Sequence, residues 1–269
     1  MTSRRANGRT PIVIVVLGAV ACLVFALPLV ALLVRVPWRS VGSILTSAAA
    51  LEALWLSIVT SVVTTLLALG IGVPLAWLLA RTHFFGKTFV RAVCTLSMVL
   101  PPVVAGVALL ATYGRRGIIG SPLEAVFGLR LPFTMPAVVI AQLFVAMPFL
   151  VLTVESAFNS ADQTVEDAAR TLGASALYTF MHVNLPQARS SIIAGAVLTW
   201  ARALGEFGAT ITFAGNFPGT TRTLPIATYL SLESDLGEAL AMSMMLVVVS
   251  LTVLIAMRAR FLPTLGESR

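Results

Sequence analysis

Charged side chains are scarce in this chain, and their scarcity excludes an ordinary soluble domain. Asp, Glu, Lys and Arg make up 11% of the 269 residues, whereas hydrophobic residues make up 58%. Soluble domains carry about 25% charged residues. The composition therefore predicts an integral membrane protein whose main solvent is lipid.

Cysteine and histidine are also scarce, which excludes most metal and nucleophilic chemistry. Cys22 and Cys94, the only cysteines, lie within apolar runs without metal-ligand spacing, so we interpret them as inert thiols. His83 and His182, the only histidines, lie in predicted loops that no carboxylate-rich helix face joins. We therefore expect no catalytic residue, no metal site and no cofactor on this chain.

Motifs for nucleotides and nucleic acids are incomplete or missing. FFGKT, residues 84–88, ends like a phosphate-binding loop, but Arg81 stands where that loop requires its first glycine. No basic tract is interleaved with aromatic residues, so the excess of 18 Lys and Arg over 11 Asp and Glu does not indicate nucleic acid. It indicates instead loops that face the cytoplasm and anionic lipid headgroups.

Long apolar runs are the main pattern of the sequence. Six stretches approach the ~20 residues that a spanning helix needs. They are roughly Ile12–Val34, Ala53–Ala80, Phe89–Tyr113, Thr134–Phe158, Ser191–Ala214 and Ala239–Met257. Because lipid offers backbone groups no partners, we expect an all-α integral membrane fold with six transmembrane helices. The first run continues past Cys22, which makes it too long for a cleaved signal core and predicts a retained helix.

The basic residues predict the orientation of the chain in the membrane. With the N-terminus inside, eleven Lys and Arg residues face the cytoplasm, six face outward, and Arg202 lies within a helix. This bias favours a multi-pass protein of the cell membrane with both termini in the cytoplasm.

Prolines fall within several of these runs, at Pro28, Pro74, Pro101, Pro102 and Pro148. Each removes a helical hydrogen bond and invites a kink. Two interpretations stay open: helices that part and close again during function, or the ordinary tolerance of proline in membrane helices. The segment around Pro101 and Pro102 is the most interrupted, and we place it near a gate.

A polar segment between the fourth and fifth runs, EDAARTLGASALYTFMHVNLP at residues 166–186, predicts two short cytoplasmic helices. Ser160 and Gln163 fit a capping box, and Glu166 lies four residues before Arg170, which is a favourable pair. Gly173 can adopt the left-handed conformation that ends a helix.

The second short helix should begin near Ser175 and stop at Pro186, with Leu177, Phe180 and Met181 on one side. The segment is too short and too polar to span a membrane. Two roles stay open for it: a surface loop that packs on its own transmembrane helices, or a knob that fits a groove on a partner protein.

The same segment resembles the EAA loop of ATP-binding-cassette (ABC) importer permeases, whose pattern begins Glu-Ala-Ala, continues to a glycine and ends in Leu-Pro. The matching positions are Asp167, Ala168, Ala169, Gly173, Val183, Leu185 and Pro186. Asp replaces the family's Glu at Asp167 and Val replaces its Ile at Val183, and both changes keep charge or shape. The resemblance implies the fold of a type I ABC importer permease, in which this loop docks on a separate ATPase subunit.

This resemblance also implies a domain organisation and a set of partners. Residues 1–36 would hold a cytoplasmic N-terminus and an extra first transmembrane helix, and residues 52–258 a core permease domain with the EAA loop at about 159–190. Two permease subunits would form a homodimer around a central pathway in the lipid bilayer. Two ABC ATPase subunits would carry ATP and magnesium, and an extracytoplasmic binding protein would deliver the substrate.

A second stretch, WARALGEFGATITFAGNFPGTTRTLPIATYL at residues 200–230, resembles permeases for tetrahedral oxyanions, and molybdate permeases most closely. The resemblance implies an importer for molybdate. Sulfate or thiosulfate, and tungstate, stay open as alternatives, because specificity in such systems resides largely in the binding protein.

Charged and small residues in this stretch allow two interpretations each. Arg202 and Glu206, four apart on one helix side, either line a path for a dianion or form a structural ion pair. Gly205 and Gly208 allow close helix approach, either at the dimer seam or within one subunit.

A turn-rich outer loop follows, with Asn216, Gly219 and Arg222. It either contacts the binding protein or simply connects two helices.

Two functions of other classes make different demands on the sequence. An ion-coupled secondary transporter needs buried acids as proton relays, for which Glu155 and Glu206 are the only candidates. A membrane scaffold that moves nothing would not need interrupted or charged spans.

Overall fold

Helices build the fold of the computed structural model, which describes residues 11–261. The helices in this range are α1 (Ile12–Arg35), α2 (Val41–Leu45), α3 (Ala48–Arg81), α4 (Lys87–Val99), α5 (Pro102–Tyr113), α6 (Gly120–Phe127), α7 (Met135–Ser160), α8 (Gln163–Thr171), α9 (Ala176–Thr179), a π-helical turn (Phe180–Asn184), α10 (Leu185–Gln187), α11 (Arg189–Leu204), α12 (Gly208–Ala214), α13 (Leu224–Leu232) and α14 (Leu236–Phe261). The expected all-α fold is confirmed for the described residues.

Four of these helices, α1, α3, α7 and α14, are long and apolar enough to cross a membrane. α11 and α12 together pass the same test, although the chain bends by 59° between them. Long apolar runs favour helices because a helix satisfies its own backbone polar groups in lipid. Four or five spans are thus recognisable by length and composition in residues 11–261, and the expected count of six stays a prediction.

The predicted third span, residues 89–113, is not one continuous helix. α4 ends at Val99 and α5 begins at Pro102, with Leu100 and Pro101 in an extended conformation between them. A residue before proline is disfavoured in the α region, and proline has no N–H to continue the helical bonds. Two consecutive prolines therefore divide the span, and the second of them starts a new helix.

The three other prolines named above do not end their helices. Pro28, Pro74 and Pro148 lie inside α1, α3 and α7, which continue through them. A single proline removes one backbone hydrogen bond, and neighbouring helices in a membrane protein can compensate for that loss.

α3 and α7 pack side by side near the centre of the bundle. A Cβ on Gly72 would lie 3.3 Å from the Met147 side chain, so the two backbones approach closely there. Polar groups bind across the same interface: Thr64 Oγ1 donates to Gln142 Oε1 at 3.0 Å, and Gln142 Nε2 donates to Thr60 Oγ1 at 3.1 Å. Buried hydrogen bonds of this kind hold helices together in lipid.

α5 and α12 pack as a pair of half-helices, and each of them begins at a break in the chain. A Cβ on Gly106 would lie 2.5 Å from Thr212 Cβ, and a Cβ on Gly208 would lie 2.5 Å from Pro102 Cβ. Both glycines are therefore needed for the backbones to approach this closely. Phe213 is fully buried in the cluster that these helices share with α7.

The first helix, α1, has no buried residue and packs against α14. Its large apolar side chains are exposed along most of its length. A surface of this kind requires lipid or another protein around it. The division into residues 1–36 and a core of residues 52–258 stays a prediction.

Candidate functional site

The segment from Asp162 to Ala188 forms two short helical arms that meet at Gly173, and we name it the cassette. The first arm is α8, and the second runs from α9 through the π-helical turn to α10. Gly173 has φ +85°, a left-handed conformation that favours glycine. The expected Gly hinge between two short helices is therefore present.

The first arm begins two residues later than the capping box predicted. Ser160 is the last residue of α7, where its hydroxyl donates to the Ser156 carbonyl at 2.8 Å. Asp162 caps α8 instead: Oδ1 accepts from the Thr164 backbone N–H at 2.9 Å and from the Thr164 hydroxyl at 2.8 Å. These hydrogen bonds, the backbone one first, lower the pKa of the Asp162 carboxyl. The predicted Ser160 cap is wrong because α7 extends to that residue.

Glu166 is the charged centre of the first arm, with a side chain only 5% exposed. Its Oε1 accepts from Arg170 Nη2 at 2.6 Å, so the expected pair within α8 forms. Its Oε2 lies 3.3 Å from Nε of Arg81, the last residue of α3, whose Nη2 donates to the Ala161 carbonyl at 3.3 Å. From the sequence, Arg81 was one of the eleven predicted cytoplasmic basic residues and the residue that interrupts the phosphate-loop pattern, and it had no predicted partner. One sequence alone does not show that a basic residue at the end of a long apolar helix pairs with an acidic residue far along the chain.

The second arm continues through Pro186, where the sequence predicted a stop. Ser175 caps α9 by accepting from the Tyr178 N–H at 3.2 Å, as expected. Residues 180–184 then adopt the π conformation, in which Leu185 N–H binds the Phe180 carbonyl. Proline disturbs the helical turn that precedes it. Here that turn is widened, so the chain remains helical as far as Gln187 instead of ending at the proline.

The apolar residues of the second arm divide between two surfaces. Phe180 packs against Trp77 of α3 with ring centroids 5.5 Å apart, whereas Leu177 and Met181 are exposed. The expected common face of these three residues is therefore wrong, since Phe180 turns towards α3 while Leu177 and Met181 stay on the exposed side. With Leu172, whose side chain is 88% exposed, the outward residues give this polar segment an unusual amount of exposed apolar surface.

The seven positions that resemble the EAA pattern divide in the same way. Outward positions are Asp167, Ala168, Gly173 and Pro186, and half-buried positions are Ala169, Val183 and Leu185. Leu185 packs against the cluster formed by α3, α7 and neighbouring residues. Asp167, Ala168 and Gly173 leave a small-residue surface on the first arm, and Leu185 anchors the second arm to the bundle. A docking role for these residues stays a prediction.

The second candidate site lies at the bend between α11 and α12. Arg202 Nη1 and Glu206 Oε2 are 2.6 Å apart, but α11 ends at Leu204, so the two residues do not share one helix. Glu206 is 1% exposed, and its Oε1 accepts from the Ala209 N–H at 2.9 Å, which caps α12. One carboxylate thus joins the last turn of one half-helix to the first turn of the next. These contacts support the structural interpretation of the pair, while a pathway role stays untested.

Gly205 and Gly208 do not lie on one helix side, because the break separates them. Gly205 is exposed at the end of α11, and a Cβ there would meet only the Ala201 carbonyl oxygen at 3.6 Å. Gly208 is buried against Pro102 within the same chain. The close approach predicted for Gly208 therefore occurs inside one subunit, and the seam interpretation remains only for Gly205.

The loop with Asn216, Gly219 and Arg222 is closed by its own hydrogen bonds. Arg222 Nε donates to the Asn216 carbonyl at 3.0 Å, and the Phe217 N–H donates to Thr221 Oγ1 at 2.9 Å. Gly219 is exposed with φ +69°. The structure therefore brings the three predicted residues into one compact turn, whose contact with a binding protein stays a prediction.

The sequence of this chain is similar to a family of transport proteins and to several of its named members. Residues 72–263 match the family described as "Binding-protein-dependent transport system inner membrane component". The chain is 44% identical over 247 residues to the "Molybdenum transport system permease protein ModB" of Mycobacterium bovis, covering 91% of this chain and 93% of that protein. It is 39% identical over 218 residues to the protein of the same name from Escherichia coli K12, covering 81% and 95%.

A solved structure supports the fold. The crystal structure of a bacterial ABC transporter involved in the import of the acidic polysaccharide alginate contains a chain that matches with a TM-score of 0.77 at 16% identity, covering 94% of this chain and 95% of that one. At this identity the similarity concerns the architecture alone. It agrees with the type I ABC importer permease fold expected from the sequence.

Proposed function

We propose that this chain, which belongs to the binding-protein-dependent transport system inner membrane components, is the permease subunit of an ATP-driven importer for molybdate. It is a multi-pass inner membrane protein and a transport subunit rather than an enzyme. One observation carries the substrate assignment: the chain matches proteins named molybdenum transport permeases at 44% identity over 91% of its length.

The proposed mechanism uses the cassette as the attachment point for an ATPase. Two copies of the chain form a symmetric homodimer around the pathway, and two ATPase subunits, which hold ATP and magnesium, bind the cassettes from the cytoplasm. Asp167, Ala168 and Gly173 are on the accessible surface, where small residues permit close contact with a groove. An external binding protein delivers the anion, and both termini of the chain lie in the cytoplasm.

The two buried acids are poorly suited to the proton relay that an ion-coupled secondary transporter requires. Glu155 forms an ion pair with Arg91, and Glu206 forms one with Arg202. Both carboxylates are therefore held in contacts within the chain, whereas a proton relay requires acids that are open to the path of the transported ion.

The test is reconstitution of the chain with its ATPase and binding protein in liposomes. ATP turnover is then measured with molybdate, tungstate, sulfate and phosphate in turn. We expect molybdate to stimulate turnover and to accumulate inside the liposomes, while sulfate and phosphate leave turnover at its basal level. An equal response to all four anions would contradict the substrate assignment. A folded, assembled complex without any response would contradict the ATP-driven mechanism.

A further inference from the structure

The last turns of α3 carry two residues that hold the two arms of the cassette. Trp77 and Arg81 are four residues apart, so they lie on the same face of the helix. Trp77 contacts Phe180 in the second arm, and Arg81 contacts Glu166 in the first. Each arm therefore has its own attachment to one helix face.

Arg81 joins three elements through a single guanidinium group. Its Nε lies 3.3 Å from Glu166 Oε2 in α8, and its Nη2 donates to the carbonyl of Ala161, which follows α7, at 3.3 Å. The side chains of Arg81 and Glu166 are only 6% and 5% exposed. Because Arg81 is itself part of α3, the group links α3, the end of α7 and the cassette.

This arrangement is poorly explained by stability alone. Removing two charges from water costs a large part of what their attraction returns, so a buried ion pair is weak evidence for stabilisation. Arg81 Nε, Arg81 Nη1 and Glu166 Oε2 are moreover buried without a hydrogen-bond partner among the described residues, so the 3.3 Å contact is an ion pair without a hydrogen bond. A pair retained at such a cost fixes a specific geometry, and here that geometry is the position of α8 relative to α3 and α7.

The helices that Arg81 joins are held together by polar contacts along their length. The Thr64 and Thr60 hydroxyls bind Gln142 between α3 and α7, and Arg91 of α4 forms an ion pair with Glu155 of α7. A displacement of the cassette therefore acts on a connected group of helices and not on one isolated helix end.

We infer that Arg81 is a positioning residue for transport, which acts through Glu166 to make the α3–α7 pair follow the cassette when the ATPase moves it. The inference rests on the proposed function. It adds that docking and transmission are separable: the outward residues of the cassette bind the ATPase, and the Arg81–Glu166 contact carries the movement inward. Without that contact, the ATPase would still bind and hydrolyse ATP, but fewer anions would cross per ATP.

The chain offers a matched control for this inference. Arg170 is the other partner of Glu166, at 2.6 Å, but it lies in α8 itself and its side chain is 52% exposed. Arg170→Gln removes a positive charge from the same carboxylate without cutting a contact between elements. Arg81→Gln removes the contact that crosses from α3 to α8.

The experiment compares Arg81→Gln, Arg170→Gln and the unchanged chain in the reconstituted complex. Three quantities are measured: co-purification of the ATPase, the rate of ATP hydrolysis, and the number of molybdate ions imported per ATP. We expect Arg81→Gln to retain the ATPase and its hydrolysis while ions per ATP fall by about two- to thirtyfold, the range of coupling changes caused by such mutations. Arg170 lies on the outward surface of the cassette, so Arg170→Gln can lower the amount of ATPase that co-purifies. In the complexes that do form, the number of ions imported per ATP should equal that of the unchanged chain.

Equal ratios for Arg81→Gln and the unchanged chain would overturn the inference, and so would equal losses in both variants. If Arg81→Gln does not assemble, Glu166→Gln takes its place, because it keeps the shape of the side chain and removes the charge. Combining Glu166→Gln with Arg170→Gln should then lower the ratio no further than Glu166→Gln alone. Failure of the unchanged chain to import molybdate would count against the proposed function instead, which keeps the two failures distinguishable.

Discussion

Replacing Gly208 by alanine tests the packing of the two half-helices directly. The added Cβ would lie 2.5 Å from Pro102 Cβ and 3.3 Å from the Pro102 carbonyl carbon. Carbon atoms attract best at about 3.5–4.0 Å, so the helices would have to separate by about 1 Å. The proline ring is rigid and is joined directly to the backbone of α5, so it cannot turn away as a long side chain could.

The expected cost is that of overpacking, about 1–3 kcal/mol. Each kcal/mol lowers the Tm of a domain of this size by roughly 2–4 °C, so Tm should fall by about 2–12 °C. The assay is thermal unfolding of the purified protein in detergent, followed by molybdate transport in liposomes. The rate of transport should fall even at temperatures where the variant stays folded. The reason is that the added Cβ displaces the start of α12, whose Ala209 N–H is bound by Glu206.

Gly205→Ala is the matched control, three residues away at the other side of the break. Gly205 is exposed, has an ordinary φ of −87°, and would bring its Cβ no closer than 3.6 Å to the Ala201 carbonyl oxygen. Within one subunit the added Cβ has no close contact, so the Tm of the separated subunit should stay within about 1 °C of the unchanged protein. A loss of Tm that occurs only in the assembled dimer would instead support the seam interpretation of Gly205. A Gly208→Ala protein that melts at the normal temperature, or a Gly205→Ala protein that is equally damaged, would refute the packing argument.

Three further predictions concern the hinge, the break and the cap. Gly173→Val should cost about 1–2 kcal/mol, because φ is +85° at this residue, although no atom lies within 4 Å of the added Cβ. The measurement is the amount of ATPase that co-purifies, which should fall. Gly86→Val is the control, because Gly86 has a similar φ of +88° but lies outside the cassette. Glu206→Ala should lower Tm more than Glu206→Gln, since Gln can still accept from the Ala209 N–H; equal losses would argue against the cap. The Asp162 cap should hold at neutral pH and weaken as the pH falls through the lowered pKa of its carboxyl. The check is the protection factor of the Thr164 amide, which is the exchange rate corrected for its intrinsic pH dependence. It should fall under acid conditions in the unchanged chain and not in Asp162→Asn.

Local signals were sufficient for much of the cassette. Gly173 as a left-handed helix end and Ser175 as a cap follow from the conformational freedom of glycine and from a hydroxyl one turn before the residues it caps. The local sequence does not determine which residue caps α8. Ser160 and Asp162 were both suitable, and the choice depended on where α7 ends, which the burial of Phe158 in the bundle helps to set.

Contacts between residues far apart in the chain could not be predicted from the sequence. Pro101 and Pro102 predict the helix break between α4 and α5, but no proline marks the helix break after Leu204. There the bend accompanies the packing of Gly208 against Pro102, which lies more than 100 residues earlier in the chain. Arg81 and Glu166 are 85 residues apart, so the sequence alone does not show that they form a pair.

α7 is the element through which the cassette and the half-helix pair can influence each other. Its second half, with Leu150 and Phe158, packs in the cluster beneath the cassette, whereas its first half, with Ala141 and Val145, packs against α5 and α12. Pro148 lies between these two halves and removes one backbone hydrogen bond there. The backbone of α7 thus resists bending least at the junction of the two clusters. Both interpretations of Pro148, a functional kink and the ordinary tolerance of proline in membrane helices, therefore concern the one position of α7 where a bend would move the two clusters relative to each other.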